Sequence, residues 1–235
     1  MSYLSPKAML KHAIVAPMVK IYGPTVVEED SIIDNMVILG YPTKSNLEAV
    51  RRNFEGRFDE ALDAVSSGCF VGRRCTVRSG CVIYERVWLE DDVQLGHYVM
   101  IRELSRIGCG SVVGSFSVIE GECNIGRNVS IQSNVFIPRR TEVGNGVFLG
   151  PNVVITNDKY PPSGKLVTTV IRDNVIVAAN AIIIAGVEVG EGAFVAAGSV
   201  VTKSVPSGVA VKGIPAKPYA TTAEILEKRG EYLRQ

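Results

Sequence analysis

The chain has 235 residues, a hydrophobic fraction of 46% and a formal net charge of +1. This length suits one substantial domain or two small ones, and the balanced charge favours neither a nucleic-acid nor a polyanion partner. No apolar run reaches the length of about 18 residues that a membrane helix needs. The first residues, broken by Pro6 and Pro17, lack the apolar core of a signal peptide. The sequence therefore predicts a cytoplasmic protein with no membrane partner.

The beginning of the chain combines an N-terminal lead, predicted over residues 1–20, with the first part of a repeat. From Ile21 onward an aliphatic residue recurs every six positions, at Val27, Ile33 and Leu39. The phase then breaks over residues 40–69. Because the segment Asn46–Ser66 is charged and rich in helix-forming residues, it predicts a helical excursion.

A period of six residues dominates the rest of the chain. Every sixth residue from Val71 to Ile155 is Val, Ile or Leu, and the same step resumes from Ile171 to Val201. Neither an α-helix nor an ordinary strand has this period, but a short strand followed by a turn, repeated, does. The position two residues before the aliphatic is small and is predicted to point inward. Four cysteines stand there, namely Cys69, Cys75, Cys81 and Cys123.

Two further segments depart from the repeat. Residues 157–169, with the sequence TNDKYPP near their start, are predicted to form an excursion from the repeating body. After residue 205 the repeat ends, so residues 206–235 form a tail in which Thr221–Arg234 reads as a helix. The repeating body is thus predicted over residues 21–205.

The repeat resembles a known family. The segments VGSFSVIEGECNIGRNVSIQSNVFI and VEVGEGAFVAAGSVVTKSVP are similar to the hexapeptide repeats of bacterial transferases, a likeness that covers roughly residues 71–217. The resemblance implies an all-β fold, a left-handed parallel β-helix with three hexapeptides per turn, with a helical insertion and a C-terminal α-helix. It also implies a homotrimer with its sites between subunits, and acyl transfer from coenzyme A.

His97 is the candidate general base. It stands two residues after the inward Leu95, and the motif LGHYVMI resembles the one that carries the base in the acyltransferases of lipid A synthesis. A histidine near neutral pKa suits proton removal from an attacking amine or hydroxyl. Glu103 is predicted to orient the imidazole. The alternative for His97 is a surface histidine that only forms a hydrogen bond across the trimer.

The TNDKYPP segment resembles a loop of the nucleotide-sugar amino N-acetyltransferases. The resemblance assigns Asn157, Asp158 and Tyr160 to the acceptor site, whereas ordinary turn formation explains the same residues without a substrate. The chain departs from those enzymes in one respect. Where they place a histidine, within residues 113–118, this chain has Phe116, and His97 lies one coil earlier.

The last coils resemble the coenzyme A site of the family. Small residues allow close approach of the pantetheine arm, and lysines pair with its phosphates. The residues assigned to the donor in this way are Ala179, Ala197, Gly198, Lys203 and Lys217.

These motifs and resemblances are compatible with three functions. The leading one is an acetyl-CoA-dependent N-acetyltransferase acting on a sugar amine, with the sugar nucleotide-linked. An O-acetyltransferase on a hydroxylated small molecule is a close variant, and a non-enzymatic scaffold or assembly subunit is the competitor. Only two histidines are present, so the three-histidine zinc site of the carbonic anhydrases of this fold is excluded, and we expect no metal requirement.

Overall fold

The computed structural model describes residues 2–54 and 56–234, and in these ranges the chain forms three sheets and three α-helices. Almost all strands are two residues long and belong to successive coils of one prism. Each strand pairs in parallel with the strand one coil later, so the three sheets are the three faces of the prism. The predicted all-β, left-handed parallel β-helix is confirmed.

The chain visits the three sheets in rotation, and we number them by the order in which they are first reached. The strands of sheet I are Tyr3–Leu4, Lys20–Ile21, Ile38–Tyr41, Val82–Tyr84, Met100–Ile101, Val118–Ile119, Phe136–Ile137, Val154–Ile155, Ile182–Ile183 and Val200–Val201. Those of sheet II are Met9–Leu10, Val26–Val27, Phe70–Val71, Trp88–Leu89, Arg106–Ile107, Asn124–Ile125, Glu142–Val143, Val170–Ile171 and Glu188–Val189. Those of sheet III are Ile14–Val15, Ile32–Ile33, Thr76–Val77, Gln94–Leu95, Val112–Val113, Ser130–Ile131, Phe148–Leu149, Ile176–Val177, Phe194–Val195, Val209–Lys212 and Lys217–Thr221.

The core is the column of aliphatic residues that the six-residue period predicts. The residues at this period from Val71 to Ile155 are at most 3% exposed. Small side chains fill the space between them, and Cys75, Cys81 and Cys123 are among these buried groups. Burial raises the pKa of each of these three thiols to about 11. They are therefore packing residues and are protonated near neutral pH.

The repeat begins earlier than the sequence pattern indicates. Residues 1–20 are predicted as a lead, but in the described range the first coil already begins there, with Leu4 beside Ile21, Leu10 beside Val27 and Val15 beside Ile33. The step from Leu10 to Val15 is five residues instead of six, which hides the period. In the described part of the chain no other coil packs on the outer side of this one. Most of its side chains are therefore partly exposed, and a less regular apolar pattern suffices there.

The excursion over residues 40–69 contains two helices, α1 (Lys44–Asn53) and α2 (Phe58–Val65), which leave the edge between sheets I and II. Their apolar residues Val50 and Leu62 pack on Tyr22 over the first coils. Buried Glu85 holds both ends of the excursion. Its carboxylate accepts hydrogen bonds from the N–H of Thr43 (2.7 Å), the amide of Asn46 (2.8 Å) and the N–H of Ser67 (2.8 Å).

The C-terminal tail continues the prism before it leaves it. Strand Val209–Lys212 extends sheet III and then pairs antiparallel with Lys217–Thr221. Helix α3 (Thr222–Tyr232) follows, and Thr221 and Glu224 form a capping box at its N-terminus. The helix contacts this hairpin, and most of its side chains are exposed. Among the described residues, no helix has both the length and the apolar character needed to cross a bilayer.

Candidate active site

His97 lies on the prism edge where sheets III and I meet, in the turn between Gln94–Leu95 and Met100–Ile101. Its side chain is exposed. Its backbone is held on the next coil, because its N–H donates to Ser115 Oγ (3.0 Å) and its carbonyl accepts from the N–H of Phe116 (2.9 Å). A fixed backbone with an exposed imidazole is the arrangement that a general base on a surface cleft requires.

We call this edge the histidine edge. Backbone hydrogen bonds run along it from coil to coil, as in the bond from the N–H of Gly198 to the carbonyl of Ala179 (2.9 Å). The register of sheet III defines the column, which contains Asn35, Ser79, His97, Ser115, Ser133, Pro151, Ala179, Ala197 and Gly213. Five coils separate His97 from Ala197, or about 24 Å at about 4.8 Å per coil.

A cavity of about 690 Å³ lies at the C-terminal end of the histidine edge, lined by Ala197, Lys212, Lys217 and Tyr219 among others. The Lys212 ammonium is 4.6 Å from the centre of the Tyr219 ring. A second cavity of about 300 Å³ contains Lys203 and, again, Lys217. Lys203 itself lies in the turn after strand Val200–Val201, on the edge where sheets I and II meet. The structure thus brings Ala179, Ala197 and Gly198 onto the histidine edge and places Lys217 at its end. Lys212, which lines the first cavity, belongs to this group as well.

The residues assigned to the acceptor lie elsewhere in the chain. The loop with Asn157, Asp158 and Tyr160 leaves the edge where sheets I and II meet, between Val154–Ile155 and Val170–Ile171. We call it the loop edge. Asp158 accepts hydrogen bonds from the N–H groups of Tyr160 (3.0 Å) and Ser163 (2.7 Å) and from the Ser163 hydroxyl (2.6 Å). Asp158 therefore organises the loop, while the Tyr160 ring is 76% exposed.

Glu103 does not reach His97 within one chain. It lies on the loop edge, at the other end of strand Met100–Ile101, and is only 6% exposed. Both its carboxylate oxygens accept from Arg102, at 3.2 Å, and Arg139 lies 3.9 Å away. The role of Glu103 in orienting an imidazole therefore stays a prediction. Within one chain the two residues lie on different edges, because six residues of a hexapeptide coil lead from one edge to the next.

Asp34 is the carboxylate on the histidine edge that the sequence analysis missed. It accepts hydrogen bonds from the Ser79 hydroxyl (2.5 Å) and the N–H of Asn35 (2.6 Å). The bond from Ser79 lowers the pKa of Asp34 most, and a positive charge on His97 acts in the same direction. Asp34 and Ser79 are 45 residues apart because the helical excursion lies between them. The regular spacing of the repeat therefore does not predict that they are neighbours.

An aromatic pair flanks His97 on the same edge. The rings of Tyr98 and Phe116 are parallel within 6°, with centroids 5.4 Å apart, and both are more than half exposed. Tyr98 lies over Gly80, where a Cβ would come within 2.4 Å of the ring. Phe116, which stands where the nucleotide-sugar enzymes place a histidine, therefore forms an exposed apolar surface beside the candidate base.

Comparisons with known proteins agree with this architecture. The family model "Bacterial transferase hexapeptide (six repeats)" matches residues 105–139 and 168–203. A 2,3,4,5-tetrahydropyridine-2,6-dicarboxylate N-acetyltransferase of Staphylococcus epidermidis is 49% identical over 88 residues, which is 37% of this chain and 36% of that protein. The bifunctional protein GlmU of Aromatoleum aromaticum is 29% identical over 150 residues, covering 60% of this chain and 32% of that protein.

Among solved structures, a UDP-N-acetylglucosamine acyltransferase from Campylobacter jejuni superposes with a TM-score of 0.65 at 15% identity. The superposition covers 94% of this chain and 77% of that one, and it shows a shared fold. The chain spans about a third of the length of the curated relatives it matches. In its repeats the chain is thus similar to the bacterial hexapeptide transferases, and it shares their three-sided β-helix fold.

Proposed function

We propose that this protein transfers an acetyl group from acetyl-CoA to an amino group of a sugar, with the sugar nucleotide-linked. The observation that carries the proposal is the histidine edge. One continuous column contains His97, the small residues Ala179 and Ala197, and, at its end, a cavity lined by Lys212 and Lys217. Base, extended groove and phosphate-binding charges thus follow one another in the order that a coenzyme A thioester requires.

The length of the edge fits the donor. From its sulfur to its diphosphate, coenzyme A has roughly fifteen bonds in line, or about 18 Å at about 1.2 Å per bond. The distance along the edge from His97 to Ala197 is about 24 Å. With the diphosphate at the lysines, the difference of about 6 Å leaves room beside His97 for the acetyl group and the attacking amine.

His97 has a definite role in this reaction. As the neutral amine attacks the thioester carbonyl, a C–N bond forms and His97 accepts the proton that the nitrogen loses. The C–S bond then breaks, and the proton passes from His97 to the leaving thiolate. No step uses a metal. A hydroxyl acceptor would need the same proton transfer, and this makes O-acetylation the close variant.

The outward face of sheet I supports a trimer. Its outward side chains are apolar in every coil beyond the helical excursion, namely Val82, Met100, Val118, Phe136, Val154, Ile182 and Val200. On sheet II the corresponding positions include Arg106, Asn124, Glu142 and Glu188. A continuous apolar face of this length is typical of a subunit interface, so we place sheet I against a three-fold axis.

This arrangement joins the two edges. When three prisms turn the same face toward a three-fold axis, the histidine edge of each copy meets the loop edge of the next. Asn157, Asp158 and Tyr160 then border the cleft that contains His97 of a neighbouring copy. The loop starts three coils from His97, about 14 Å, a distance that half of its residues span when extended. Glu103 also lies on the loop edge, at the far end of the strand that follows His97. Across this interface it is the candidate to orient the imidazole of a neighbouring copy.

Calorimetric titration with acetyl-CoA, with the mass in solution measured alongside, tests the proposal. We expect one site per chain in a trimer. Phe136→Asp, at the centre of the apolar face, is expected to yield monomers that bind acetyl-CoA more weakly, because half of each cleft is lost. Asn124→Asp, on the outward face of sheet II, is the matched control and should stay trimeric.

A trimer that shows no binding at millimolar acetyl-CoA would contradict the enzyme proposal and favour the scaffold. A monomeric protein that binds acetyl-CoA would contradict the shared cleft. If binding is found, amino-sugar nucleotides are the first acceptors to screen, and a cytoplasmic location would give the enzyme access to its donor.

A further inference from the structure

The outward face of sheet II carries an aromatic pair that the proposed reaction does not use. Phe70 and Trp88 stack with ring centroids 3.9 Å apart and planes within 14°. Trp88 is the only tryptophan of the chain and is 47% exposed. In a three-sided prism this face lies opposite the histidine edge. The next three outward positions of this face are the polar Arg106, Asn124 and Glu142. An exposed aromatic pair at the border of such a polar stretch indicates a place where a ligand covers it.

A hollow of about 360 Å³ adjoins the pair, and Gly68 accounts for it. Gly68 occupies the turn position that bulkier residues fill in the later coils, at Arg86, Leu104, Glu122 and Arg140, all with positive φ. A Cβ at Gly68 would approach the Pro24 carbonyl carbon to 2.6 Å, so only glycine fits. The corner between Pro24 and Arg86 stays open as a result, and the rings of Phe70 and Trp88 form its wall.

Arg86 is the one charged residue that lines this hollow. Its N–H donates to the carbonyl of Gly68 (2.6 Å), which fixes its backbone against the opening. In the described part of the chain, no carboxylate lies within 4.0 Å of its guanidinium, whereas Arg140 pairs with Glu122. The neighbouring Glu85 points inward to Thr43 and Ser67 and leaves Arg86 uncompensated.

We propose that this hollow binds a small planar acid, a single aromatic or heterocyclic ring that carries a carboxylate or a phosphate. The ring lies against Trp88 and Phe70, and the anion pairs with Arg86, whose planar guanidinium suits both oxyanions. The volume, near the lower end of the range for ligand pockets, holds one ring and not a nucleotide-sized molecule. Gly68 and Arg86 lie in turns between sheets I and II, so the hollow borders the loop edge. Its test is nevertheless separate from that of the acyl-transfer proposal, because it measures binding of a small acid without acetyl-CoA and without turnover.

Trp88 provides the readout, since selective excitation of tryptophan reports only this site. We would titrate the full chain with para-fluorobenzoate, para-fluorophenyl phosphate and uncharged para-fluorobenzamide, following Trp88 emission and fluorine NMR line widths. The first two probes distinguish a carboxylate ligand from a phosphate ligand, and the third removes the charge. Arg86→Gln is the test variant, and Arg140→Gln, at the same turn position in a later coil, is the control.

Saturable quenching by at least one of the acids, with binding weakened about tenfold or more in Arg86→Gln and for the amide, is the expected result. Arg140→Gln should bind as the unaltered protein does. The proposal is overturned if neither acid gives a saturable signal, if the amide binds as well as the acids, or if both arginine variants weaken binding equally. Because Arg86 is exposed, its loss leaves the fold intact, which circular dichroism verifies.

Discussion

The two edges of sheet I differ in what their turns contain. On the histidine edge the turns are short and uniform. The column that contains His97 consists largely of small residues such as Ser115, Ser133 and Ala197. On the loop edge the chain leaves the prism twice, through the helices after Lys44 and through the loop after Asn157. Charged groups also concentrate there, with Arg102, Arg139 and Arg140 paired to Glu103 and Glu122.

This difference fits the proposal that each site is formed by two copies of the chain. A uniform edge offers an uninterrupted groove for an extended molecule, whereas an edge with excursions supplies walls and specificity. His97, the small residues assigned to the donor and Lys217 lie on the first edge or at its end, whereas Lys203 and the residues assigned to the acceptor lie on the second. In the proposed function, each chain therefore contributes its two edges to two different clefts, and a neighbouring copy completes each cleft.

The largest effect is expected from His97→Ala. Removal of a general base lowers turnover by roughly 10²–10⁴-fold, while acetyl-CoA affinity and oligomeric mass stay unchanged because the donor contacts lie several coils away. Steady-state rates and calorimetry measure the two quantities separately. His12→Ala, at the only other histidine, is the control, and unchanged turnover in His97→Ala would remove the histidine edge from the chemistry.

Glu85→Ala tests whether the loop edge depends on its buried carboxylate. The substitution leaves the N–H groups of Thr43 and Ser67 and the amide of Asn46 without their acceptor, which we expect to lower the free energy of unfolding by about 3 kcal/mol. Urea unfolding followed by circular dichroism measures the loss. Glu48→Ala, on the exposed face of α1, should change it by less than about 0.5 kcal/mol.

The same carboxylate predicts a pH dependence. Burial acts to raise the pKa of Glu85, but hydrogen bonds from Thr43 and Ser67 outweigh it and hold the pKa below the ordinary value of 4.5. Its stabilising effect is therefore fully present above pH 4.5 and is lost as the pH falls through the lowered pKa. Below that pH the unaltered protein and Glu85→Ala should differ less in stability than at neutral pH.

A smaller effect is expected from Lys217→Gln at the end of the histidine edge. Loss of one ammonium near the coenzyme A phosphates should raise the KM for acetyl-CoA by about five- to tenfold without changing kcat, and the difference should shrink at high salt. Initial rates at several ionic strengths measure it. Lys165→Gln, in the exposed loop, serves as the control, and an equal KM increase there would argue against a specific phosphate contact.

The six-residue period was sufficient to predict the short strands and the buried column, because each inward aliphatic residue marks one strand, while the left-handed prism with three strands per coil followed from the resemblance to the hexapeptide-repeat transferases. It failed where the period itself is broken. The five-residue step between Leu10 and Val15 concealed the first coil. The excursion after Leu39 also concealed the alignment of Asp34 with the edge that contains His97.

The sequence predicted which residues belong to the candidate site better than it predicted how they are arranged in space. The step of 18 residues places His97, Ser115 and Ser133 on one edge, and the sequence shows this step directly. Glu103, six residues from His97, was assigned to it by proximity in sequence, although six residues lead to the next edge. The hollow beside Trp88 depends on which turn lacks a side chain, and only the three-dimensional structure places Gly68 between Pro24 and Arg86.

Complementation between two inactive variants tests the shared site most directly. His97→Ala chains and chains in which residues 158–166 are replaced by a short glycine linker are each expected to be inactive as pure trimers. Unfolded and refolded together in equal amounts, they should form mixed trimers, and about a quarter of all clefts in the mixture should then combine an intact histidine edge with an intact loop edge. Thiol release from acetyl-CoA should then recover to about a quarter of the unaltered rate. If mass measurement shows mixed trimers but turnover stays absent, the two edges do not form one site.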